Sequence, residues 1–320
     1  MIHHVFANRK NSGDWLAARG IQSLIAPFTV MEHLCDEAFV DLTLQRLSAA
    51  KSDDLIIIGG GGLFMDYFAR FWTGFAEIGQ RVPFCIWGVG YCDLKREVSH
   101  PPLALLRGIV RASRFCVVRD ELTRGYLSQC ALEPPVPCPS IVAVERPTSS
   151  GSGLLHVDNY IPVGADVYGA MTAYGIEFAR HTGRPYMSTN NRIQRDSEAS
   201  LRTNLRLYAA ADLVLSSRLH GCIIGLAMGR KVLAVSGDRK LESFMEAAGL
   251  SDWVCDLDNI SSLPKLLTSL PDQRTPWEFL GRVLRDNQRI ADRVRADIEA
   301  SNSPAAFPPS LHRTNLWPRW

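Results

Sequence analysis

The clearest element in the hydrophobic pattern of the chain is an apolar run, Leu55-Ile56-Ile57-Ile58, which follows Asp54. An unbroken apolar run of this length is typical of a strand that is covered on both faces, as in a parallel sheet. Four glycines follow at once, from Gly59 to Gly62. Apolar residues then recur at helical spacing, at Phe64, Met65, Phe68, Phe71, Trp72 and Phe75. The pattern predicts a strand, a glycine turn and a helix.

The same alternation of apolar runs and helix-like stretches continues through both halves of the chain. We expect a strand before Asn11 and further strands at 83–87, 115–118, 154–157, 211–215 and 231–235. A long amphipathic helix is predicted from Thr275-Pro276, since Thr fits the N-cap and Pro the first helical position. Strands that alternate with helices indicate an α/β fold with parallel sheets.

The division into domains follows from the residues that break regular structure. Pro, Ser and Gly are concentrated at 133–139 and again at 146–153. We therefore predict an N-terminal domain over 1–146, a C-terminal domain over 147–302, and a loosely ordered tail over 303–320.

Composition narrows the class of protein. The 320 residues are 46% hydrophobic and 21% charged, with a formal net charge of +2, which fits a globular protein and gives no field that favours nucleic acid. No apolar stretch is long enough to span a bilayer, and no signal peptide opens the chain, so we expect a cytoplasmic protein. The eight cysteines stand singly without a CxxC pair, which predicts reduced core residues and no metal site.

The segment Ser216 to Gly221 is the first candidate for chemistry. It follows a predicted strand, and the carboxyl ends of parallel strands are where α/β proteins bind ligands. Arg218 offers a bidentate anion contact, and His220 is a candidate proton carrier near neutral pH. The alternative is that Ser217 caps the next helix and His220 is a satisfied core histidine.

Three weaker candidates also follow predicted strands. The glycine turn lets a backbone approach a ligand closely, although it lacks the spacing of a dinucleotide or P-loop motif. The alternative is a tight turn with close helix packing. Arg119 in Val118-Arg119-Asp120-Glu121 offers another anion contact, unless it pairs with an acid while Asp120 or Glu121 caps a helix. Asp14, in the polar turn Asn11 to Asp14, offers an acceptor for sugar hydroxyls.

Taken in order, these segments resemble the polysaccharide pyruvyl transferase family. The resemblance rests on NSGD at 11–14, GGGGLFMD at 59–66, GVG at 88–90, VRDE at 118–121, SRLHG at 217–221 and GDRK at 237–240. It implies two Rossmann-like domains that face each other across a cleft, as in the GT-B glycosyltransferases. It also implies transfer of pyruvate from phosphoenolpyruvate to a saccharide, as a ketal, without a cofactor or metal.

The resemblance assigns roles by position. Arg218 and His220 match the family's RLH pair and are the predicted catalytic residues. Arg119 matches the Arg of the VRDE segment, and Lys240 a basic residue after a late strand. The predicted substrate-binding residues are Arg119, Lys240, Ser217, Gly221, Gly60, Gly61, Gly62, Asn11 and Asp14. Cys138 stands where the family often has Asp, and we expect it not to touch the RLH pair.

Two other functions fit the same residues. A GT-B glycosyltransferase would use the Arg, the His and the glycine turn to bind a nucleotide sugar. A non-catalytic saccharide-binding protein could share the fold. The acceptor of the transferase would be a saccharide, free or lipid-linked, and Trp317, Arg319 and Trp320 suggest peripheral contact with the inner face of a membrane, unless the tail has no function.

Overall fold

Two parallel sheets form the framework of the protein, a computed structural model of which describes residues 1–97, 100–158, 160–194 and 197–302. The predicted membrane contact through Trp317, Arg319 and Trp320 lies outside these residues. The N-terminal sheet contains β1 (Ile2–Phe6), β2 (Val30–Leu34), β3 (Leu55–Gly59), β4 (Phe84–Val89) and β5 (Cys116–Val118). The C-terminal sheet contains β6 (Gly153–Val157), β7 (Tyr186–Thr189), β8 (Ala211–Ser216), β9 (Lys231–Ser236) and β10 (Val254–Asp256).

Helices cover the faces of both sheets. In the N-terminal domain they are α1 (Ser12–Ile25), α2 (Val40–Ser48), α3 (Ala69–Arg81), α4 (Leu103–Ala112) and α5 (Glu121–Tyr126). In the C-terminal half they are α6 (Tyr160–Thr182), α7 (Glu198–Ala210), α8 (Leu219–Ala227), α9 (Arg239–Ala247), α10 (Leu263–Ser269) and α11 (Trp277–Asn302). Short 3₁₀ turns lie at 66–68, 139–141, 251–253, 257–262 and 270–272.

The two sheets have the same topology. The N-terminal order is β2-β1-β3-β4-β5, and the C-terminal order β10-β9-β8-β6-β7 is the same arrangement when its strands are counted from β6. The chain changes direction across the sheet between β1 and β3 in one domain and between β6 and β8 in the other. Ligands of such folds bind at these switch points, beyond the carboxyl ends of the strands.

Burial explains why the central strands were predictable. All five residues of β1, β3 and β6 are buried, as a strand covered on both faces requires. The edge strands β2, β7 and β10 carry half-buried and polar residues and were not predicted. The predicted α/β fold with two Rossmann-like domains is confirmed.

The last helix joins the two cores. Near its start, Phe279 and Val283 of α11 pack in the core of the C-terminal domain. Further along, Val294 packs with residues of the N-terminal sheet. Between them Asn287 accepts a hydrogen bond from Trp87 Nε1 at 3.0 Å and donates to the carbonyl of Pro137 at 3.1 Å. The predicted helix is therefore present and packs across both domains.

Two local predictions need correction. The helix expected directly after the glycines begins only at Ala69, after a 3₁₀ turn over Asp66–Phe68, although Phe64 and Phe68 are still buried. The proline-rich segment expected as a free linker is packed: Cys138 and Ile141 are buried beside α1 and α8. The predicted boundary at 146/147 stays a prediction.

Among the described residues, no helix is long and apolar enough to cross a membrane.

Candidate functional site

A cavity of about 170 Å³ lies between the carboxyl edges of the two sheets. Its lining includes eight of the residues predicted from the sequence: Asn11, Asp14, Gly62, Arg119, Ser217, Arg218, His220 and Lys240. They come from the turns after β1, β3 and β5 in the N-terminal domain and after β8 and β9 in the C-terminal domain. The cavity therefore draws on both switch points, as the shared topology leads one to expect.

Three helices begin at the cavity wall. Asn11 caps α1, its side chain accepting a hydrogen bond from the Gly13 amide at 2.9 Å. Arg218 occupies the N-cap position of α8, and Asp238 caps α9. Since a helix N-terminus carries partial positive charge, all three starts favour an anion in the cavity. The alternative in which Ser217 caps α8 is wrong, because the N-cap residue is Arg218.

Arg119 is held rigidly under the cavity. Its Nε donates to Asp120 Oδ2 at 3.0 Å and its Nη2 to the carbonyl of Tyr91 at 3.2 Å. Asp120 also caps α5 through the Thr123 amide at 2.8 Å. Burial opposes the charge, but the neighbouring Asp120 raises the pKa of Arg119, which stays a cation. The predicted ion pair of Arg119 and helix cap of Asp120 are thus both present, and Arg119 also lines the cavity.

Lys240, in the first turn of α9, is the second cation. Its Nζ lies 2.5 Å from Asp238 Oδ2 and donates to Cys92 Sγ at 3.0 Å. Burial again opposes the charge, while Cys92 and Asp238 raise the pKa of the ammonium group. The contact with Cys92 crosses from the C-terminal to the N-terminal domain.

Arg218 is the third cation and is held differently. Its Nε donates to the backbone carbonyl of Asp158 at 2.5 Å. Among the described residues, no carboxylate forms an ion pair with its guanidinium group. Burial lowers its pKa, but an arginine remains charged at any physiological pH. Its charge is therefore available to a ligand to a greater extent than that of Arg119 or Lys240.

Asp14 and His220 face each other across the cleft. His220 Nδ1 lies 3.9 Å from Asp14 Oδ1, and the imidazole ring packs so closely on α1 that a Cβ at Gly13 would lie 2.0 Å from His220 Cγ. Burial raises the pKa of Asp14 to about 6. Burial and then the charges of Arg119, Lys240 and Arg218 lower the pKa of His220 to about 3. These surroundings favour the neutral imidazole, and the role of His220 as a proton carrier stays a prediction.

Cys138 contacts the predicted catalytic histidine, contrary to expectation. Its Sγ lies 3.6 Å from His220 Nε2, and it accepts a hydrogen bond from the Ser140 hydroxyl at 3.3 Å. Burial raises the pKa of this thiol. Cys138 and His220 are 82 positions apart in the sequence, which gives no sign of this contact. The packing of the 139–141 turn against α8 brings the thiol to the imidazole.

The glycines have structural roles for the most part. Gly60 and Gly61 have φ values of +82° and +84°, and a Cβ at Gly61 would lie 2.9 Å from Asp14 Oδ1. The amide of Gly60 donates to the carbonyl of Trp87 at 3.0 Å. Gly221 makes room for Ser216 Oγ. Gly62 lines the cavity, whereas Gly60, Gly61 and Gly221, predicted to bind substrate, do not, because they turn the chain or pack against it.

Backbone pairing closes the cleft on two sides of the cavity. In the Asn11 clasp, residues 10–12 pair with 191–193, and the amide of Ser12 donates to the carbonyl of Asn191 at 2.9 Å. In the Asp93 clasp, residues 93–95 pair with 237–239, and the amide of Lys95 donates to the carbonyl of Gly237 at 3.0 Å. The two domains are thus in direct contact on both sides of the cavity.

Two residues of the site, Cys92 and Asp238, were missed in the sequence. Cys92 follows β4 and a glycine pair, so the strand-end rule alone could have selected it. Asp238 lies in the GDRK segment, where only Lys240 was chosen. Asp66, the last residue of the GGGGLFMD segment, is exposed and does not line the cavity. In the part of the chain that is described, no group of three or more His, Cys, Asp and Glu residues is arranged to hold a metal ion.

Solved structures with a similar fold support the two-domain description. The UDP-GlcNAc 2-epimerase of Methanocaldococcus jannaschii, in complex with UDP-GlcNAc and UDP, aligns with a TM-score of 0.59 at 10% identity, over 92% of this chain and 99% of that one. Staphylococcus aureus MnaA with UDP aligns with a TM-score of 0.58 at 8% identity, over 96% and 99%. A functionally uncharacterised Klebsiella pneumoniae protein aligns with a TM-score of 0.52 at 14% identity, over 79% and 91%. At these identities the likeness establishes the GT-B-like fold alone.

The family is established by sequence. A search of curated proteins found no match. The family model described as polysaccharide pyruvyl transferase matches residues 14–239, a span that runs from Asp14 to the start of α9 and includes most of the cavity wall. The RLH segment, the VRDE segment and the glycine turn all lie within it. The chain therefore belongs to the polysaccharide pyruvyl transferase family.

Proposed function

We propose that the protein transfers the pyruvate unit of phosphoenolpyruvate to a hexose of a polysaccharide, or of its lipid-linked precursor, as a ketal with release of phosphate. The observation that carries this proposal is the concentration of Arg119, Arg218 and Lys240 around one small cavity. Phosphoenolpyruvate carries a phosphate and a carboxylate, so it needs several fixed cations at short range. No cofactor or metal enters the proposed reaction.

The size of the cavity supports a small donor. At about 170 Å³ it is smaller than the roughly 300 Å³ at which sites for larger organic ligands begin. A three-carbon phosphoester suits such a space, whereas a nucleotide sugar needs several times the volume. The small volume of the cavity thus favours phosphoenolpyruvate over the donor of a glycosyltransferase.

The arrangement of charge also suits the reaction. Arg119 is fixed by Asp120 and Lys240 by Asp238, so neither cation has to reorganise when the anion arrives. Arg218 has no carboxylate of its own among the described residues and offers the strongest uncompensated attraction. The three helix starts add partial positive charge from both domains. This environment stabilises the phosphate as it leaves.

The acceptor has to enter from outside the cavity. We propose that it approaches from the N-terminal domain, when the clasps open, and that closure then excludes water from the reacting carbon. The reaction is placed in the cytoplasm, where phosphoenolpyruvate is made, and a lipid-linked acceptor would bring the protein to the inner face of the membrane.

The glycosyltransferase alternative shares the fold but requires the cleft to open widely to admit a nucleotide. The saccharide-binding alternative requires no chemistry at all. It predicts saccharide binding that survives the loss of both Arg218 and His220. A saccharide-binding site gives no reason for three cations around so small a volume.

The test is acceptor-dependent release of phosphate. Phosphoenolpyruvate and a panel of p-nitrophenyl and lipid-linked hexosides would be incubated with the wild-type protein and with His220→Ala. We expect release that needs both an acceptor and His220, with a ketal carbon appearing in the acceptor by NMR. Silence across the panel, together with a rise of Tm by a nucleotide sugar but not by phosphoenolpyruvate, would contradict the proposal.

A further inference from the structure

We infer that Asp14 and His220 form an acid–base pair that carries both protons of the reaction, with Asp14 as the proton donor and His220 as the base. This inference rests on the proposed function and deepens it. It changes the role of Asp14 from a hydrogen-bond acceptor for the sugar to the group that protonates the methylene carbon of phosphoenolpyruvate.

The geometry places the two groups on opposite walls of one cavity. Asp14 lies in the first turn of α1 and His220 in the first turn of α8, with 3.9 Å between Oδ1 and Nδ1. Their side chains are 17% and 12% exposed, and both residues line the cavity. Each can therefore reach a bound ligand and, with a small adjustment, its partner.

The positions of both groups are fixed from behind. The ring of His220 packs against Gly13, and Cys138 contacts its Nε2 edge at 3.6 Å. The carboxylate of Asp14 rests on Gly61, where a Cβ would lie 2.9 Å from Oδ1. These contacts hold the acid and the base in one orientation, as proton transfer requires.

The surroundings of the pair raise the pKa of Asp14 and lower the pKa of His220. Facing Asp14 are Arg119 after β5, Lys240 of α9, Arg218 at the start of α8, and the thiols Cys35 and Cys138. The same three cations face His220, together with Asp14 and Cys138. Burial favours a protonated carboxyl and a neutral imidazole, and such opposed environments distinguish a general acid from a general base.

A bound donor moves both groups in the useful direction. Phosphoenolpyruvate adds negative charge between the cations, which raises the pKa of Asp14 and of His220 alike. Asp14 then holds its proton nearer neutral pH, while the anion makes His220 a stronger base. The pair is thereby prepared by the substrate itself.

The proton balance of the reaction closes through this pair. Asp14 gives its proton to the methylene carbon, the first sugar hydroxyl forms a bond to the adjacent carbon, and His220 takes the proton of that hydroxyl. The imidazolium returns this proton to the Asp14 carboxylate. When the bond between carbon and bridging oxygen breaks, its electron pair leaves with phosphate; the second hydroxyl closes the ketal, and its proton passes through the pair to the phosphate.

The experiment compares Asp14→Asn, Asp14→Glu and the surface control Asp41→Asn, whose carboxylate is 70% exposed on α2. Phosphoenolpyruvate binding is measured by calorimetry, and kcat/KM is measured against pH with an acceptor. We expect Asp14→Asn to bind phosphoenolpyruvate within a few-fold of wild type but to lose about 100-fold or more in kcat. Asp14→Glu should restore part of kcat and move the alkaline limb of the pH profile, and Asp41→Asn should match wild type.

The sign of the pH dependence follows from the roles. Activity requires a protonated Asp14, so it falls as the pH rises through the pKa of Asp14; it requires a neutral His220, so it falls as the pH drops through the pKa of His220. The inference would be overturned if Asp14→Asn kept a kcat near that of the wild type, or if it lost phosphoenolpyruvate binding. It would also be overturned if the alkaline limb of the pH profile did not move in Asp14→Glu. A wild type that binds no phosphoenolpyruvate would overturn the proposed function, and this inference with it.

Discussion

The two domains share one strand order but contribute to the cavity in different ways. The N-terminal domain presents Arg119, whose charge is neutralised by its neighbour Asp120, and the carboxyl group of Asp14. The C-terminal domain presents Arg218, held by a backbone carbonyl, and the neutral imidazole of His220. Topology therefore fixes where a site forms, while the residues after each strand decide its charge and chemistry.

The largest effects should come from the two arginines, and they should differ in kind. Arg119→Ala leaves Asp120 buried without its partner, so we expect the free energy of unfolding to fall by about 3–5 kcal/mol. Arg218→Ala breaks no ion pair among the described residues, so its stability should change little, while phosphoenolpyruvate affinity falls about ten- to a hundredfold. Chemical denaturation and calorimetry measure the two quantities.

The exposed Arg124 on α5 is a matched control, since its ion pair with Glu121 is at the surface. Arg124→Ala should change neither quantity by more than about 0.5 kcal/mol. Equal losses of stability in Arg119→Ala and Arg218→Ala would contradict the claim that the two domains hold their arginines differently.

Acid should weaken the two domains unequally. Burial lowers the pKa of His4 and His33 in the N-terminal sheet to about 4, and it also lowers that of His3 beside them. In the C-terminal domain, burial lowers the pKa of His156 to about 4 and that of His220 to about 3. An unfolded histidine binds a proton near pH 6.5, so stability is lost as the pH falls from about 6.5 to 4, at about 1.4 kcal/mol for each pKa unit of one group. Asp14, whose pKa is raised, acts in the opposite direction and offsets one of these groups in part.

Hydrogen exchange as a function of pH would separate the domains. We expect amides of β1 and β2, beside His4 and His33, to lose protection at a higher pH than those of β6. Protection that is independent of pH between 4 and 6.5 would contradict the buried neutral histidines.

A smaller effect is expected at the contact between the domains. In Gly13→Ala the new Cβ would lie 2.0 Å from His220 Cγ, so the ring must move and kcat should fall at least about tenfold. Gly169→Ala on α6 is the matched control, because no atom lies within 4 Å of its added Cβ. That variant should keep full activity and gain about 1 kcal/mol in stability; unchanged kcat in Gly13→Ala would show that the position of His220 is not critical.

The smallest effect concerns the thiol beside His220. Cys138→Asp places a carboxylate next to the imidazole and should raise its pKa, which moves the acid limb of the kcat/KM profile to higher pH. Cys138→Ser adds no charge and should leave that limb in place. A limb that is the same in both variants would show that Cys138 does not influence the base.

Sequence reasoning succeeded where one local rule decides the structure. The run Leu55 to Ile58 is buried on both faces and was predictable from its apolar character, as was the candidate site at the end of β8. Edge strands such as β2 were missed because polar side chains on their exposed face hide the strand pattern. The glycine turn was overvalued, since a positive φ and an anion-binding amide have the same sequence signature.

The pairings across the cleft were beyond reach. Asp14 and His220 are separated by 206 positions, and Cys92 and Lys240 by 148, so only the docking of two domains brings them together. The opposite pKa changes of Asp14 and His220 arise from that docking as well. A single sequence lists the groups of the site, but it does not say which of them meet.

Calorimetric titration of the wild-type protein with phosphoenolpyruvate, and separately with a UDP-sugar, tests the central claim most directly. The account predicts that phosphoenolpyruvate binds one to one, that Arg218→Ala weakens this binding about ten- to a hundredfold, and that the UDP-sugar neither binds the cavity nor competes. Tight binding of the UDP-sugar without binding of phosphoenolpyruvate would contradict it and would assign the cleft to a nucleotide sugar.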